Sequence, residues 1–277
     1  MNNETDDYHY FGAKIVYKGS DIQGDIYVLD YDNGHRVMCF ESIYEQSRMN
    51  KRYPDVPIHE YIQAMLLVLA FCQPRSALIL GLGAGSLLRA LHRINPGMML
   101  EGVDNRALVI TVADKYFGLP ASDNIKLAIS DADQYVSQRA RELTDLVFVD
   151  LYESYDMPPV QNQLPFVQDC YDSLSEAGWL VFNFHKMPNA NSAFILFLKK
   201  HCKTLLVCSV KEGNYVLFAS KQALPNTLMF YANNIKDIEK SLDVSLLPLY
   251  KRLEFLREKH AFLRKSVRKK INMIHKD

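Results

Sequence analysis

The run ALILGLGAGSLLRAL, residues 77–91, decides how this chain is read. Four apolar residues lead into a glycine-rich turn, Gly81-Leu82-Gly83-Ala84-Gly85, and Ser86 opens a segment with helical apolar spacing. The stretch therefore reads as buried strand, tight turn, helix. Glycines in such a turn let the main chain approach a ligand closely, because no Cβ stands in the way. Twenty-one residues after Gly83, Asp104 ends the next apolar run, MMLEGVD. A carboxylate there can accept hydrogen bonds from both ribose hydroxyls of an adenosine-containing ligand.

Outward from this core, short apolar runs alternate with helical segments, the sequence form of a parallel α/β sheet. Strands are expected at ALILGL, MMLEGVD, IKLAI, DLVFVDL and WLVFNF, with helices at about 85–94, 106–117, 132–141, 166–173 and 191–201. LLVCSV and YVLFAS then flank Lys211-Glu212-Gly213-Asn214, so the sheet should close in an antiparallel hairpin. Upstream, DIYVLDY and HRVMCFES flank Asp32-Asn33-Gly34, a hairpin signal because Asn-Gly accepts positive φ. Residues 47–57 read as a polar, proline-punctuated connection and 59–71 as a helix.

Beyond Pro225 the composition turns helical and charged, as in LPLYKRLEFLREKHAFLRKSVRKKI, and residues 251–277 hold ten Lys/Arg against three Asp/Glu. Two readings fit this tail: a solvated helix whose apolar stripe docks on the body, or a surface for RNA, anionic membrane or a protein partner. The expected organisation is an N-terminal β element with linker (1–57), a Rossmann-like domain (58–222) and a basic helical extension (223–277).

The bulk properties exclude little and direct little. With 277 residues and 48% hydrophobic content the chain can bury a large core. Lys plus Arg and Asp plus Glu both number 32, so net charge gives no general reason to expect nucleic acid or acidic membrane. The five cysteines are scattered, mostly among apolar neighbours, and no His or Cys spacing suggests a metal site, which fits a reducing cytosol. The polar, acidic opening residues carry no secretory signal, and no apolar run reaches membrane-spanning length.

Nicotinamide dinucleotides also occupy such crevices, but their fingerprint places a third glycine or an alanine where this chain has Ser86. The third strand is followed by Ser130-Asp131-Ala132-Asp133, which sets a carboxylate where an adenine amino group can donate. The closing hairpin also differs from the second half of a dinucleotide fold.

In these features the chain resembles the spermidine and spermine synthases and their bacterial relatives, over roughly residues 25 to 220. The resemblance implies a class I methyltransferase fold of seven strands, with Gly81, Gly83, Ala84, Gly85, Asp104, Asp131 and Ala132 at the cofactor. It implies S-adenosylmethionine or its decarboxylated form as co-substrate, an amine acceptor, no metal, and a homodimer. Asp150, closing the fourth strand, takes the role of the acid that unloads the incoming amine. Glu153 matches the family's second amine-binding acid by spacing, and Asp156 matches it by preceding a proline turn. Tyr61 or His59 stands for the substrate tyrosine, Gln46 for a glutamine near the N-terminal strands, and Asn183 for an asparagine frequent in the fifth strand.

Two departures open other readings. Ala84 replaces the family's amine-binding aspartate in GGGDG, a loss of about 1.5–3 kcal/mol and roughly 10- to 100-fold in donor affinity. The usual DSSDP loop is replaced by Asp150-Leu151-Tyr152-Glu153-Ser154-Tyr155-Asp156-Met157-Pro158. A methyltransferase is the second reading, although the acid that classical methyltransferases carry two residues before the first glycine is Ile79 here. A binding or regulatory protein that kept the fold is the third.

Overall fold

The computed structural model describes residues 9–10, 12–40, 45–139, 143–152, 159–211, 213–225 and 227–256. Five antiparallel strands come first: β1 (His9–Tyr10), β2 (Ala13–Asp21), β3 (Gly24–Asp30), β4 (His35–Phe40) and β5 (Glu45–Asn50), in sequential order. The β3–β4 turn holds Gly34 at φ +84°, as the Asn-Gly signal required. Strand β5 is a correction to the connection expected from Ser47 onward. Only Met49 in it is buried, so the strand lacks the apolar alternation that sequence patterning detects. Its backbone pairing with β4 supplies what the side chains do not.

Helix α1 (Glu60–Met65) continues as a 3₁₀ segment, Leu66–Ala70. The main sheet then winds through β6 (Ser76–Leu80), α2 (Ser86–Ile94), β7 (Met99–Asp104), α3 (Ala107–Phe117), β8 (Ile125–Ile129), α4 (Ala132–Gln138) and β9 (Thr144–Val149). It continues through α5 (Leu164–Asp172), β10 (Leu174–Phe184), α6 (Ala193–His201), β11 (Thr204–Ser209) and β12 (Tyr215–Ser220). Helices α7 (Ala232–Leu242) and α8 (Leu247–Tyr250) precede β13 (Leu253–Phe255).

The spatial order is β13-β11-β12-β10-β9-β6-β7-β8, with β10, β9, β6, β7 and β8 mutually parallel. The α/β fold expected from sequence is present, with one strand beyond the seven. β13 pairs antiparallel with β11 inside the segment read as helix. Pro248 lies in the first turn of the short α8, and the open backbone edge of β11 captures the residues that follow. Residues 257–277, which carry most of the basic tail, lie outside the described residues. Among the described residues no helix is long and apolar enough to cross a membrane.

Two apolar layers cover the sheet. Trp179, fully buried, lies in the layer shared with the α1 region, α2 and α7, while Phe182 and Phe184 lie in the layer with α5 and α6. The chain leaves β6 toward β7 and β8, then returns to place β9 on the other side of β6. That reversal opens a crevice at the carboxyl ends of β6, β7 and β9, the place where open α/β sheets bind ligands.

Candidate functional site

The crevice is a cavity of about 900 Å³ lined by the ends of four parallel strands: Gly81 after β6, Asp104 on β7, Asp131 after β8 and Asp150 after β9. Gly81 has φ +92°, and a Cβ there would lie 2.1 Å from the Asp150 carbonyl oxygen. Only glycine allows the two strand ends to meet so closely. Gly83 N donates to one Asp104 oxygen at 3.2 Å and Arg106 N to the other at 3.1 Å. A carboxylate has about four acceptor positions, so these two bonds leave it capacity for a pair of hydroxyls. Burial raises the Asp104 pKa, and the backbone N–H groups partly offset that shift. Asp131 is the N-terminal flanking residue of α4, and Ala132 lines the same wall.

The N-terminal sheet roofs the cavity with Phe40, Gln46 and Ser47. Arg106 fixes this roof: its guanidinium donates to Asp21 at 2.8 Å and to Gly24 O at 2.9 Å, and stacks 4.7 Å over Phe40. Ala84 is not among the residues that line the cavity. It is 1% exposed, packed under the roof with Ile26, Val28 and Met38. Its N–H donates to Ser47 Oγ at 3.2 Å and its carbonyl accepts from Arg89 at 2.5 Å. Arg89 is itself buried, which lowers its pKa to about 10. Gly85 sits behind the turn, where a Cβ would meet Leu119. Every N–H from Gly81 to Gly85 thus has an acceptor within the fold, and Ser47 supplies the hydroxyl beside the turn.

On the opposite wall Asp150 accepts from Asn183 Nδ2 at 2.9 Å and from the Tyr61 hydroxyl. Burial pushes its pKa up to about 6, against the lowering effect of those two donors. Tyr61, from α1, lines the cavity. His59 does not: its ring stacks on Tyr61 at 5.6 Å and pairs with Glu45 at 3.3 Å. Asn183 also donates to the Tyr152 oxygen at 2.8 Å, and Asn214, from the β11–β12 hairpin, donates to both Tyr152 and Asn183 at 2.9 Å. Glu153 and Asp156 lie outside the described residues. Among the described residues no three His, Cys, Asp or Glu side chains gather as a metal site needs.

The structure therefore brings together Gln46, Tyr61, Gly81, Gly83, Asp104, Asp131, Ala132 and Asp150. Sequence reasoning assigned no role to Ser47, Arg106, Tyr152 or Asn214. Arg106, two residues after Asp104, had a positional signal. Asn214 had none, because a hairpin residue acquires its partners only when β12 pairs beside β10.

A family model described as the spermine/spermidine synthase domain matches residues 56–238. A polyamine aminopropyltransferase of Neisseria meningitidis serogroup A is 30% identical over 153 residues, covering 54% of this chain and 58% of the relative. The chain thus spans little more than half the length of that relative. A spermidine synthase solved in complex with the transition state analogue AdoDATO matches with a TM-score of 0.69 at 18% identity, over 94% of this chain and 90% of the other. Human methyltransferase-like protein 13, solved with SAH, matches with a TM-score of 0.58 at 21% identity, over 76% and 99%. At these identities both structural likenesses establish the fold.

Proposed function

Since the chain belongs to the spermine/spermidine synthase family, we propose that it is a transferase that moves an aminopropyl group from decarboxylated S-adenosylmethionine to a small amine. The observation that carries this reading is the convergence of Gly81, Asp104, Asp131 and Asp150 on one cavity. Asp104 takes the ribose hydroxyls and Asp131 the adenine amino group. The open main chain at Gly81 and Gly83 lets the sulfonium end of the nucleoside settle beside Asp150.

Asp150 supplies the proton acceptor. With its pKa pushed up to about 6 it is ionised near neutrality yet basic enough to take a proton from an ammonium held against it. The freed amine nitrogen bonds to the carbon beside sulfur, the C–S bond breaks, and methylthioadenosine leaves as a neutral thioether. The sulfonium already leaves well, so the step asks only for orientation and proton removal. The roof of Phe40, Gln46 and Ser47 limits water at the reacting carbon.

A second reading, methyl transfer from S-adenosylmethionine itself, is favoured by one observation. Ala84 is buried under the roof, so the turn holds no acid for a donor ammonium, while Ser47 of β5 lines the cavity beside it. The Ser47 hydroxyl can donate to a donor carboxylate, whereas an ammonium would find no charged partner on that turn. Product analysis separates the two: methylthioadenosine reports aminopropyl transfer and S-adenosylhomocysteine methyl transfer. Calorimetry with both donors showing no heat of binding, and neither product formed, would end both readings.

A further inference from the structure

Asp150, Asn183, Asn214 and Tyr152 form a polar cluster in which one member fixes every hydrogen-bond direction. An ionised carboxylate only accepts, so Asn183 turns its NH₂ toward Asp150. Its carbonyl then faces Asn214, which must donate to it through Nδ2. Each amide has a second N–H. Both of these go to the Tyr152 oxygen, at 2.8 Å from Asn183 and 2.9 Å from Asn214.

A phenolic oxygen accepts at two positions, and both are occupied; neither NH₂ group can accept in return. Tyr152 must aim its own O–H elsewhere, and the residue lines the cavity. Among the described residues the hydrogen bonds of the Tyr152 oxygen are the two it accepts. Burial raises the Tyr152 pKa, so the hydroxyl keeps its proton.

This wall therefore treats the two kinds of polar group on an acceptor differently. Asp150 can take an amine N–H. Tyr152 cannot, and its half-buried O–H is left unsatisfied by a hydrocarbon or an ammonium, which a site built around a donor disfavours. A ligand oxygen satisfies it. That oxygen is neutral, since a carboxylate would be repelled by Asp150 nearby. Resting on the transferase reading above, we infer that the acceptor is an oxygenated amine, a compound with a hydroxyl or amide oxygen close to its nucleophilic nitrogen. The nitrogen faces Asp150 and the oxygen accepts from Tyr152. Bond making and breaking are as described: N–C forms, C–S breaks, and the amine proton passes to Asp150.

The test is calorimetry on the full chain preloaded with methylthioadenosine, comparing 3-amino-1-propanol with propylamine and 1,3-diaminopropane. The amino alcohol is expected to bind roughly tenfold more tightly than either comparator. Tyr152→Phe is expected to bring the ratio close to one. The wild-type ratio decides the matter even where the variant fails to fold. A ratio within about twofold in the wild type, tighter binding of the diamine, a preference that survives in Tyr152→Phe, or no binding of any of the three overturns the inference. A preference for the amino alcohol without any group transfer supports this assignment of the pocket while overturning the transferase reading. Should methylthioadenosine itself not bind, that earlier reading fails and the same three amines are compared on the free protein.

Discussion

Replacing Asp150 by Asn should make the protein more stable at neutral pH while abolishing most of its chemistry. The carboxyl is buried at the end of β9, and its pKa rises from 3.8 to about 6. Between those values the folded protein keeps a proton that the unfolded chain has released, so stability falls as pH rises through that window. Above pH 6 the full penalty of holding the charge in place is present, roughly 3 kcal/mol at about 1.4 kcal/mol per pH unit. Asparagine keeps an oxygen to accept from Asn183 and Tyr61 and carries no charge, so it escapes that penalty. Other groups titrate equally in both proteins and cancel in the difference. Urea unfolding of both proteins without ligand, at about pH 4 and about pH 8, reads the effect directly. The variant should gain roughly 2.5 kcal/mol relative to the wild type between the two conditions, since the unfolded carboxyl is already more than half ionised at about pH 4. A gap that moves by less than about 1 kcal/mol would refute the claim that burial governs this carboxylate. In the transfer assay, loss of the proton acceptor should lower turnover by about 10²- to 10⁴-fold, and the wild-type rate should fall as pH drops through about 6.

Other perturbations address the remaining parts of the site. Gly81→Ala combines positive φ with a Cβ 2.1 Å from the Asp150 carbonyl, and should cost more than about 2 kcal/mol in thermal or chemical unfolding, with loss of activity. Asp104→Ala removes the proposed partner of both ribose hydroxyls, and calorimetry should show methylthioadenosine affinity falling by at least about tenfold. Ala84→Asp restores the family residue on paper, but Ala84 is buried among Ile26, Val28 and Met38. The variant should therefore lose about 2–4 kcal/mol of stability without gaining affinity for decarboxylated S-adenosylmethionine, and improved donor binding would contradict the packing described.

The sequence by itself determined the α/β architecture and many of the residues that meet at the strand-end cavity. Strand, glycine turn and helix are adjacent in the chain, and Asp104, Asp131 and Asp150 each end an apolar run, so local periodicity and backbone geometry mark them. What escaped it depends on partners far away in sequence. β5 carries one buried residue, and β13 exists because β11 leaves an edge unpaired. The burial of Ala84 under the N-terminal sheet is likewise visible only once that sheet is packed against the turn and α3. The acceptor wall is the clearest case: Asp150, Asn183 and Asn214 lie 33 and 31 residues apart, and meet only because the hairpin strand β12 pairs with β10, which pairs with β9. Hydrogen-bond direction in that cluster is a property of the closed set of four side chains, and a linear sequence contains no record of it.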